Sequence, residues 1–340
     1  MALLQTVTIA IDAMGGDFGP RATVPAAAQC LADYPDIYLL LVGDRNAIGL
    51  HLGKLPQQQQ DRIQVIHSSE VVTMDEKPVH ALRNKKQSSM YLAIDAVAQG
   101  NADACVSAGN TGALMVLSRS LLGMHEGIDR PAFIREIPTL TGHCHVLDLG
   151  ANVGCDAQHL YQFGVMGSIV ARVVDKNPNP RVGLLNVGQE ASKGIEQVKE
   201  AARLLQGNSQ INYIGFVEGD HIFADAADVI VCDGFVGNVA LKTSEGLAKM
   251  VSLLLTQNFH QNMYTKLIGM LSKPVLNRLV KQIDPKRHNG ASLLGLQGTL
   301  VKSHGNADIA AYKQAIRRAI HEATSCLPQL IQKDISEINI

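Results

Sequence analysis

Residues 104–122 read ACVSAGNTGALMVLSRSLL, and this stretch decides the fold class. Ala104–Ser107 is a short aliphatic run, typical of a strand that is buried on both faces. A turn of small and polar residues follows, and Thr111–Leu122 then shows the apolar spacing of a helix. The stretch therefore predicts a strand, a tight turn and a helix, which together form the repeating unit of an open parallel sheet.

The same unit recurs along the chain. Predicted strands are Val7–Ile11, Tyr38–Val42, Ile63–Ile66, Ala104–Ser107, Val146–Leu149, Val182–Asn186, Ile211–Val217 and Val229–Cys232. Predicted helices are Pro20–Asp33, Ser89–Gln99, Thr111–Leu122, Gln158–Val174, Gly194–Leu205, Val236–Leu255 and Asp308–Ser325. This alternation predicts an α/β fold with a doubly wound, mostly parallel sheet and helices on both faces. Because no repeat or linker interrupts it, we expect residues 1–340 to form one catalytic unit.

The composition excludes several classes of protein. The 340 residues include 30 basic and 31 acidic side chains, 7 Phe, 7 Tyr and no Trp, which argues against nucleic-acid binding. No apolar run reaches the ~18 residues of a membrane span, and no basic segment precedes Arg21 as in a signal peptide. The six cysteines lack Cys-x-x-Cys spacing, so we expect reduced thiols in a cytoplasmic protein. His143 and His145 share a strand face but lack a partner motif, and we predict no metal and no cofactor.

Six glycine-rich polar turns carry the candidate chemistry. They lie at residues 12–17, 107–112, 148–152, 186–190, 233–238 and 303–306. Ligands of open parallel sheets bind at the carboxyl ends of the strands, so we expect these turns to line one cleft. Glycines and helix N-termini suit an anion such as phosphate. The nucleotide-binding fingerprints and the Gly-x-Ser-x-Gly elbow are absent from the sequence, which disfavours ATP, dinucleotides and serine-hydrolase chemistry.

Polar residues on these turns have candidate roles. Lys193 precedes a predicted helix, where a cation opposes the helix dipole, so it favours contact with phosphate or an oxyanion. The alternative for Lys193 is a solvated surface lysine. His304 is a candidate proton donor, with a structural histidine as its alternative. Asp12, Asp148 and Asp233 each follow a strand. Because carboxylates repel phosphate, we expect them to orient a lysine or cap a helix.

Two basic segments suggest contacts with larger partners. The loop before the second predicted helix carries Lys77, Arg83, Lys85 and Lys86, which suit an anionic ligand or an acidic partner, or simply a solvated loop. Residues 256–290 predict an amphipathic basic hairpin in which Pro274 begins the second helix. Such a hairpin can lie on an anionic membrane or pack at a dimer contact, and one hairpin can do both. The predicted contact residues are Lys266, Leu267, Leu271, Lys273, Leu276, Arg278 and Lys281.

The turns resemble, in order, those of the phosphate acyltransferases of bacterial phospholipid synthesis (the PlsX family). The resemblance rests on IDAMGGDFGP at 11–20, SAGNTGA at 107–113, LDLGAN at 147–152, CDGFVGNV at 232–239 and NGA at 289–291, and extends from about residue 6 to 319. It implies a fold like that of phosphotransacetylase and isopropylmalate dehydrogenase. It also implies conversion of acyl-[acyl-carrier protein] and inorganic phosphate to acyl phosphate by a homodimer at the membrane surface, where a membrane glycerol-3-phosphate acyltransferase is a further candidate partner. The chain departs from many relatives at Asn306-Ala307-Asp308, where serines are common.

Direct attack by phosphate needs no activated serine or cysteine, so the protein has only to position phosphate and stabilise the oxyanion. We predict catalytic roles for Lys193, Asn110, Asn238 and His304, and phosphate binding by Gly15, Gly16, Thr111, Gly112 and Gly237. The alternatives are a coenzyme A-dependent phosphotransacylase, an NAD-dependent decarboxylating dehydrogenase and a membrane-surface scaffold. The dehydrogenase needs clustered metal-binding aspartates and an adenosine site, and the sequence shows neither.

Overall fold

Strands and helices alternate along the chain in the computed structural model, which describes residues 6–53, 55–283 and 285–338. The strands are β1 (Val7–Asp12), β2 (Ile37–Gly43), β3 (Ile63–His67), β4 (Ala104–Ser107), β5 (Ala132–Pro138), β6 (His143–Leu147), β7 (Arg181–Leu185), β8 (Asn212–Val217), β9 (Val229–Val231), β10 (Ala291–Leu294) and β11 (Thr299–Lys302). The helices are α1 (Pro20–Asp33), α2 (Arg45–Leu52), α3 (Gln57–Gln60), α4 (Pro78–Asn84), α5 (Ser89–Ala98), α6 (Thr111–Leu122), α7 (Ala157–Val174), α8 (Glu196–Gly207), α9 (Gly234–Phe259), α10 (Met263–Ile283), α11 (Ile309–Thr324) and α12 (Leu327–Ile338). Short 3-10 helices lie at Gly219–Phe223 and Pro285–His288.

The described strands form one sheet in the order β3-β2-β1-β4-β11-β10-β5-β6-β9-β7-β8. The first five strands in this order are parallel to one another, and so are the last four. Between them, β10 is antiparallel to β11 and β5, and β5 is antiparallel to β6. The α/β fold with a mostly parallel sheet is confirmed. However, the reversals leave the two parallel halves running in opposite directions.

This reversal corrects one expectation from the sequence. The turns after β1, β4 and β11 lie at one edge of the sheet, whereas those after β6, β7 and β9 lie at the other, so the six turns do not share one edge. The central strands β5, β10 and β11 are the ones that the sequence patterns do not predict. β5 is interrupted by Arg135 and Glu136, and β10 and β11 have only four residues each.

Aliphatic side chains bury both faces of the sheet. Ile9 and Ile11 of β1 pack in one cluster with residues of α1 and α11, while Ala10 between them belongs to the cluster on the opposite face, which includes residues of α5 and α6. This burial on both faces explains why β1 reads as a continuous apolar run rather than an alternating one. A third cluster joins α7, α8 and α12 to the other half of the sheet. The strand ends, and the loops that leave them, are therefore anchored in packed layers.

The hairpin predicted within residues 256–290 does not form as predicted, because most of this segment is a single helix, α10; the hairpin in the structure is instead made by α9 and α10. α10 runs unbroken from Met263 to Ile283 and contains Pro274, so the chain reverses at 260–262 and the prediction that Pro274 begins a second helix is wrong. Lys266, Leu267, Leu271, Lys273 and Arg278 are exposed and Leu276 is half-buried, while the side chain of Lys281 lies outside the described residues. In the described ranges, no helix has both the length and the apolarity needed to cross a bilayer.

Candidate active site

Three loops from the first half of the sheet meet at one point. Gly16, in the turn after β1, has φ 83°, and a Cβ there would lie 2.7 Å from the carbonyl oxygen of Gly305 and 2.9 Å from the Cβ of Ala108. A Cβ on Gly15 would lie 2.8 Å from the amide nitrogen of Gly109. Because only glycine allows backbones to approach this closely, the turns after β1, β4 and β11 form one continuous surface.

Asn110 fixes a fourth segment to this surface. As the N-cap of α6 it accepts a hydrogen bond from the amide of Ala113 at 3.0 Å, and its Nδ2 donates to the carbonyls of Met74 and Glu76, each at 2.9 Å. Asn110 thus holds the loop before α4 beside the N-terminus of α6. These bonds engage its side chain in the fold, so the contacts of Asn110 give no support to the catalytic role predicted for it.

Asp148 organises the loop after β6 in the other half of the sheet. Its buried carboxylate accepts hydrogen bonds at 2.7–3.2 Å from the main-chain amides of Phe133, Gly150, Ala151 and Asn152. Burial raises the pKa of Asp148, although the hydrogen bonds from Ala151, Phe133 and Asn152 act to lower it. Four amide donors aimed at one carboxylate fix the course of the loop.

The start of α9 packs onto this loop. Asp233 is the N-cap of α9 and accepts hydrogen bonds from the amides of Phe235 and Cys155, both at 2.8 Å. A Cβ on Gly237 would lie 2.0 Å from the carbonyl oxygen of Asp148, so close packing of two backbones requires a glycine here. This packing places Asn238 beside Gly150, where an added Cβ would lie 3.3 Å from the Cβ of Asn238.

A cleft of about 420 Å³ lies between these two groups of loops, and we call it the central cleft. Its lining is Met74, Thr111, Phe133, Arg135, Leu149, Gly150, Asn238, Leu241, Lys242, Glu245, Asn289, Gly290, Ala291, Lys302, Ser303, His304 and Gly305. The register of β5, β10 and β11 places Phe133, Arg135 and Lys302 on the same sheet face as Ala291. The central cleft thus runs along one face of the antiparallel strands, with α9 as a wall and one group of loops at each end.

Charge in the central cleft favours an anion. Arg135, Lys242 and Lys302 face a single lining carboxylate, Glu245. Thr111, the first residue of α6, also lines the cleft, and the N-terminus of a helix carries partial positive charge. Together these groups suit a dianion such as phosphate.

Arg135, Glu245 and His304 form a charged cluster in the central cleft. Arg135 is buried, and its Nη1 lies 2.7 Å from Glu245 Oε1 and 3.0 Å from His304 Nε2, while its Nε donates to the carbonyl of His288 at 2.6 Å. His304 is exposed, and its Nε2 is 3.4 Å from Glu245 Oε1. Burial raises the pKa of Glu245, but His304 and Arg135 together lower it to about 2. Glu245 is therefore an anion that holds two nitrogen groups in place.

Lys302 is a second cation that sequence patterns do not single out. It is the last residue of β11, and Nζ donates to the carbonyl of Ser303. Burial lowers its pKa from 10.5 to about 8, although the carboxylate of Asp12 acts to raise it. Asp12 itself is buried, accepts from Ser107 Oγ at 2.6 Å, and has a pKa raised by burial. Asp12 thus lies behind the loops and acts on Lys302 through space.

The structure does not bring Lys193 into the central cleft. Lys193 lies on the loop after β7, its side chain is 51% exposed, and it forms an ion pair of 3.0 Å with Glu190. This exposure and ion pair agree with the alternative interpretation of its sequence position, a solvated surface lysine.

The predicted basic loop lies next to the cleft. Pro78, at the start of α4, sits 2.8 Å from the position that a Cβ of Gly112 would occupy, so α4 packs on the first turn of α6. The cations on and around α4 are Lys77, Arg83, Lys85 and Lys86, of which Lys85 is half-buried and forms an ion pair of 4.0 Å with Glu70. This close packing explains why a glycine is needed at position 112 without any role in phosphate binding.

The structure also brings together His143, His145 and Asp175. Their ring nitrogens and carboxylate oxygens lie within 4.8 Å of one another, a geometry that could hold a metal ion. Both histidines contact the Asp175 carboxylate through Nε2, at 3.0 and 2.7 Å. None of the three lines the central cleft.

Comparison with known proteins identifies the family. The family model described as "Fatty acid synthesis protein" matches residues 7–329. The chain is 53% identical to a phosphate acyltransferase of Methylococcus capsulatus over 97% of both chains, and 54% identical to one of Pseudomonas syringae pv. syringae over 95% of both. The chain therefore belongs to the family described as "Fatty acid synthesis protein", to which these relatives point. It is a phosphate acyltransferase of a fatty acid synthesis family.

Solved structures support the fold of this phosphate acyltransferase. A phosphotransacetylase from Streptococcus pyogenes superposes with a TM-score of 0.64 over 94% of both chains, at 19% identity. The EutD phosphotransacetylase from Staphylococcus aureus superposes with a TM-score of 0.61 over 96% of this chain and 95% of its own, at 15% identity. The phosphotransacetylase-like architecture that the sequence resemblance implies is therefore confirmed.

Burial keeps five of the six thiols of this phosphate acyltransferase protonated, and the sixth, half-buried Cys326, does not line the central cleft. Cys30, Cys105, Cys144, Cys155 and Cys232 are all buried. Burial raises the pKa of Cys30, Cys144 and Cys155 to about 12, and raises the other two well above the usual value. A thiol with such a pKa stays protonated and is a poor nucleophile.

Proposed function

We propose that the chain transfers a fatty acyl group from acyl-[acyl-carrier protein] to inorganic phosphate by direct attack of phosphate on the thioester. The observation that carries the proposal is the central cleft, where Arg135, Lys242 and Lys302 face one carboxylate beside the N-terminus of α6. A nucleophile from the protein is not needed. Ser303, whose hydroxyl accepts from Asn289 Nδ2 at 2.8 Å and points to the His304 carbonyl, contacts no base in the described structure.

Phosphate binds between the first turn of α6 and the side chains of Lys302 and Arg135. Held there, it is already an anionic nucleophile, and positioning is the main requirement for attack. One phosphate oxygen forms a bond to the thioester carbon, giving a tetrahedral oxyanion that Asn238 and Lys242 stabilise from the α9 wall. The carbon–sulfur bond then breaks, and the proton carried by hydrogen phosphate ends on the departing thiol, with His304 as the relay. The products are acyl phosphate and free carrier protein.

The basic loop at α4 is the docking site for the carrier protein in this proposal. Lys77, Arg83 and Lys86 are exposed, and α4 packs on the first turn of α6 at the edge of the cleft. An acidic partner bound to these cations would bring its acyl thioester to the phosphate. The expected signature is a KM for the acylated carrier that rises with ionic strength, because exposed charges are screened by salt.

A donor comparison tests the proposed reaction. Purified chain is incubated with phosphate and either palmitoyl-carrier protein or palmitoyl-coenzyme A, without nucleotides or added metal, and acyl phosphate is trapped with hydroxylamine. We expect trapping to require phosphate and to be much faster with the carrier-protein donor. Equal rates with coenzyme A would instead favour a coenzyme A-dependent phosphotransacylase. A covalent acyl-enzyme detected by mass spectrometry during turnover would overturn direct attack.

We further propose that the α9–α10 hairpin attaches the protein peripherally to an anionic membrane. Exposed apolar residues Leu267, Met270 and Leu271 lie among the exposed cations Lys266 and Lys273. An apolar surface bordered by basic side chains suits the interface of a bilayer with anionic lipids.

Liposome flotation tests this attachment. Changing Lys266 and Lys273 to Glu should release the protein from vesicles of phosphatidylglycerol and phosphatidylcholine, with little change in acyl transfer in solution. Wild-type protein should not float with phosphatidylcholine vesicles. If the double variant still floats but elutes at half the wild-type mass, the hairpin is a dimer contact and the membrane proposal fails.

A further inference from the structure

A second cavity, of about 480 Å³, adjoins the central cleft and has a different chemical character. Its lining includes Ile137, Leu140, Phe223, Leu241, Ala248 and Val251, and we call it the apolar groove. It shares Arg135, Leu241 and Glu245 with the central cleft. The charged pair Arg135–Glu245 therefore stands where a polar cleft meets an apolar one.

One wall of the apolar groove is a single face of α9. Leu241, Ala248 and Val251 are spaced seven and three residues apart, which places them on the same side of a helix. At ~1.5 Å rise per residue, this face extends about 15 Å away from the central cleft. The groove is thus elongated and begins at the proposed reaction centre.

The opposite wall is fixed by hydrogen bonds. The amide of Leu140 donates to the carbonyl of Phe223 at 3.2 Å, and Thr139 Oγ1 bonds the carboxylate of Asp225. Leu140 is 84% exposed, Leu247 56% and Phe223 38%, so large apolar side chains border the groove without being covered by this chain. A preformed apolar groove of this kind is the usual setting for an apolar ligand.

We propose that the apolar groove binds the alkyl chain of the acyl donor, with the thioester carbonyl at the Arg135–Glu245 end. This inference rests on the proposed function and extends it by assigning the groove as the determinant of acyl-chain length. A fatty acyl thioester matches the two cavities in polarity, because its polar carbonyl end suits the central cleft and its apolar chain suits the apolar groove. Continuity with the central cleft favours this occupant over a second copy of the chain or the surface of the carrier protein.

Ala248→Phe fills the groove from the α9 wall, and Lys249→Phe places the same ring on the next residue, which does not line it. Acyl phosphate formation is measured with butyryl-, octanoyl- and palmitoyl-carrier protein. We expect Ala248→Phe to lower the palmitoyl-to-butyryl ratio of kcat/KM on the order of tenfold, since loss of contact with two methylenes has about that effect. Lys249→Phe should keep the wild-type ratio.

Leu140→Ser tests the opposite wall without threatening the fold, because this side chain is exposed. It should lower the same ratio by a few fold, and displacement of the fluorescent fatty acid cis-parinaric acid by palmitate should weaken in parallel. The inference is overturned if Ala248→Phe and Leu140→Ser leave the ratio unchanged, or if Ala248→Phe shifts the oligomeric mass in light scattering. In contrast, a wild-type chain that forms no acyl phosphate from any donor contradicts the proposed function itself.

Discussion

Replacing Lys302 with Met should make the protein more stable and less active. Burial lowers the pKa of Lys302 from 10.5 to about 8. A native pKa of about 8 disfavours the protonated lysine by roughly 3 kcal/mol relative to the unfolded chain. Because the native lysine is protonated at pH 7, methionine of similar length removes this unfavourable contribution. We expect the free energy of unfolding of Lys302→Met to exceed that of the wild type by about 1–3 kcal/mol at pH 7.

The stability difference should depend on pH in a defined direction. Between about pH 8 and 10.5, native Lys302 has lost its proton while the unfolded lysine retains it, so unfolding binds a proton. The stability contribution of Lys302 therefore rises with pH across this window, and the advantage of Lys302→Met shrinks. Urea unfolding at pH 7 and in the upper part of the window measures this change. Lys249→Met, at an exposed position, is the control and should shift stability by less than about 0.5 kcal/mol at both pH values.

The same substitution removes a cation from the proposed phosphate site. We expect kcat/KM for phosphate to fall on the order of 10²-fold, as when one donor to a developing oxyanion is removed. Added phosphate should raise the unfolding midpoint of the wild type, since it binds the native state, and should raise that of Lys302→Met much less. A variant that is less stable than wild type at both pH values, or one with unchanged phosphate kinetics, would refute the assignment of Lys302 as a half-buried cation facing phosphate.

Four further substitutions have distinct expected outcomes. Asn238→Ala should lower kcat of acyl transfer by about 10- to 100-fold, whereas Lys193→Ala, exposed and paired with Glu190, should stay within about twofold in the same assay. Asp148→Asn places an amide NH2 group opposite main-chain amide donors. It should lower the free energy of unfolding, measured in urea, by about 2–4 kcal/mol. Because Glu245 has its pKa lowered to about 2, it stabilises the fold above its unfolded pKa of about 4.5, and this contribution is lost as the pH falls toward 2. Glu245→Gln should therefore flatten the loss of stability in that acid range, measured by circular dichroism.

The parts of the fold that follow local patterns could be predicted from the sequence. Strands buried on both faces, such as Val7–Asp12, show as aliphatic runs, and helices such as Thr111–Leu122 show as periodic segments after a polar cap. The glycines also carried information, because Gly16 and Gly237 occupy positions where a Cβ would collide with another backbone. For Gly237, however, packing against the Asp148 carbonyl already explains the glycine, and sequence alone does not distinguish such packing from the approach of a ligand.

The charged centre of the cleft could not be predicted, because its members are distant in sequence and lack a local signal. Arg135, Glu245 and Lys302 belong to β5, α9 and β11, and only pairing across the sheet brings them together. Glu245 reads as an ordinary surface residue of a long helix. The available signal is Arg135, which stands with Glu136 among the apolar residues of Ala132–Ile137, since strands at a sheet centre rarely bury a charge without a partner.

The antiparallel centre of the sheet explains how loops from opposite edges can serve one site. β10 is antiparallel to both β11 and β5, and β5 is antiparallel to β6. As a result, the loops after β4 and β11 and those after β6 and β9 lie at the two ends of the same sheet face. A continuous parallel sheet would place all these loops at one edge, where they could surround a small anion but would leave the sheet face to covering helices. Here the antiparallel strands between the two groups of loops leave space above the sheet face, and Arg135 and Lys302 line the central cleft there. α9 covers this part of the sheet face from one side only. The arrangement gives one end to phosphate and leaves the groove along α9 for an extended apolar group, so both reactants can be bound before the bond between them forms.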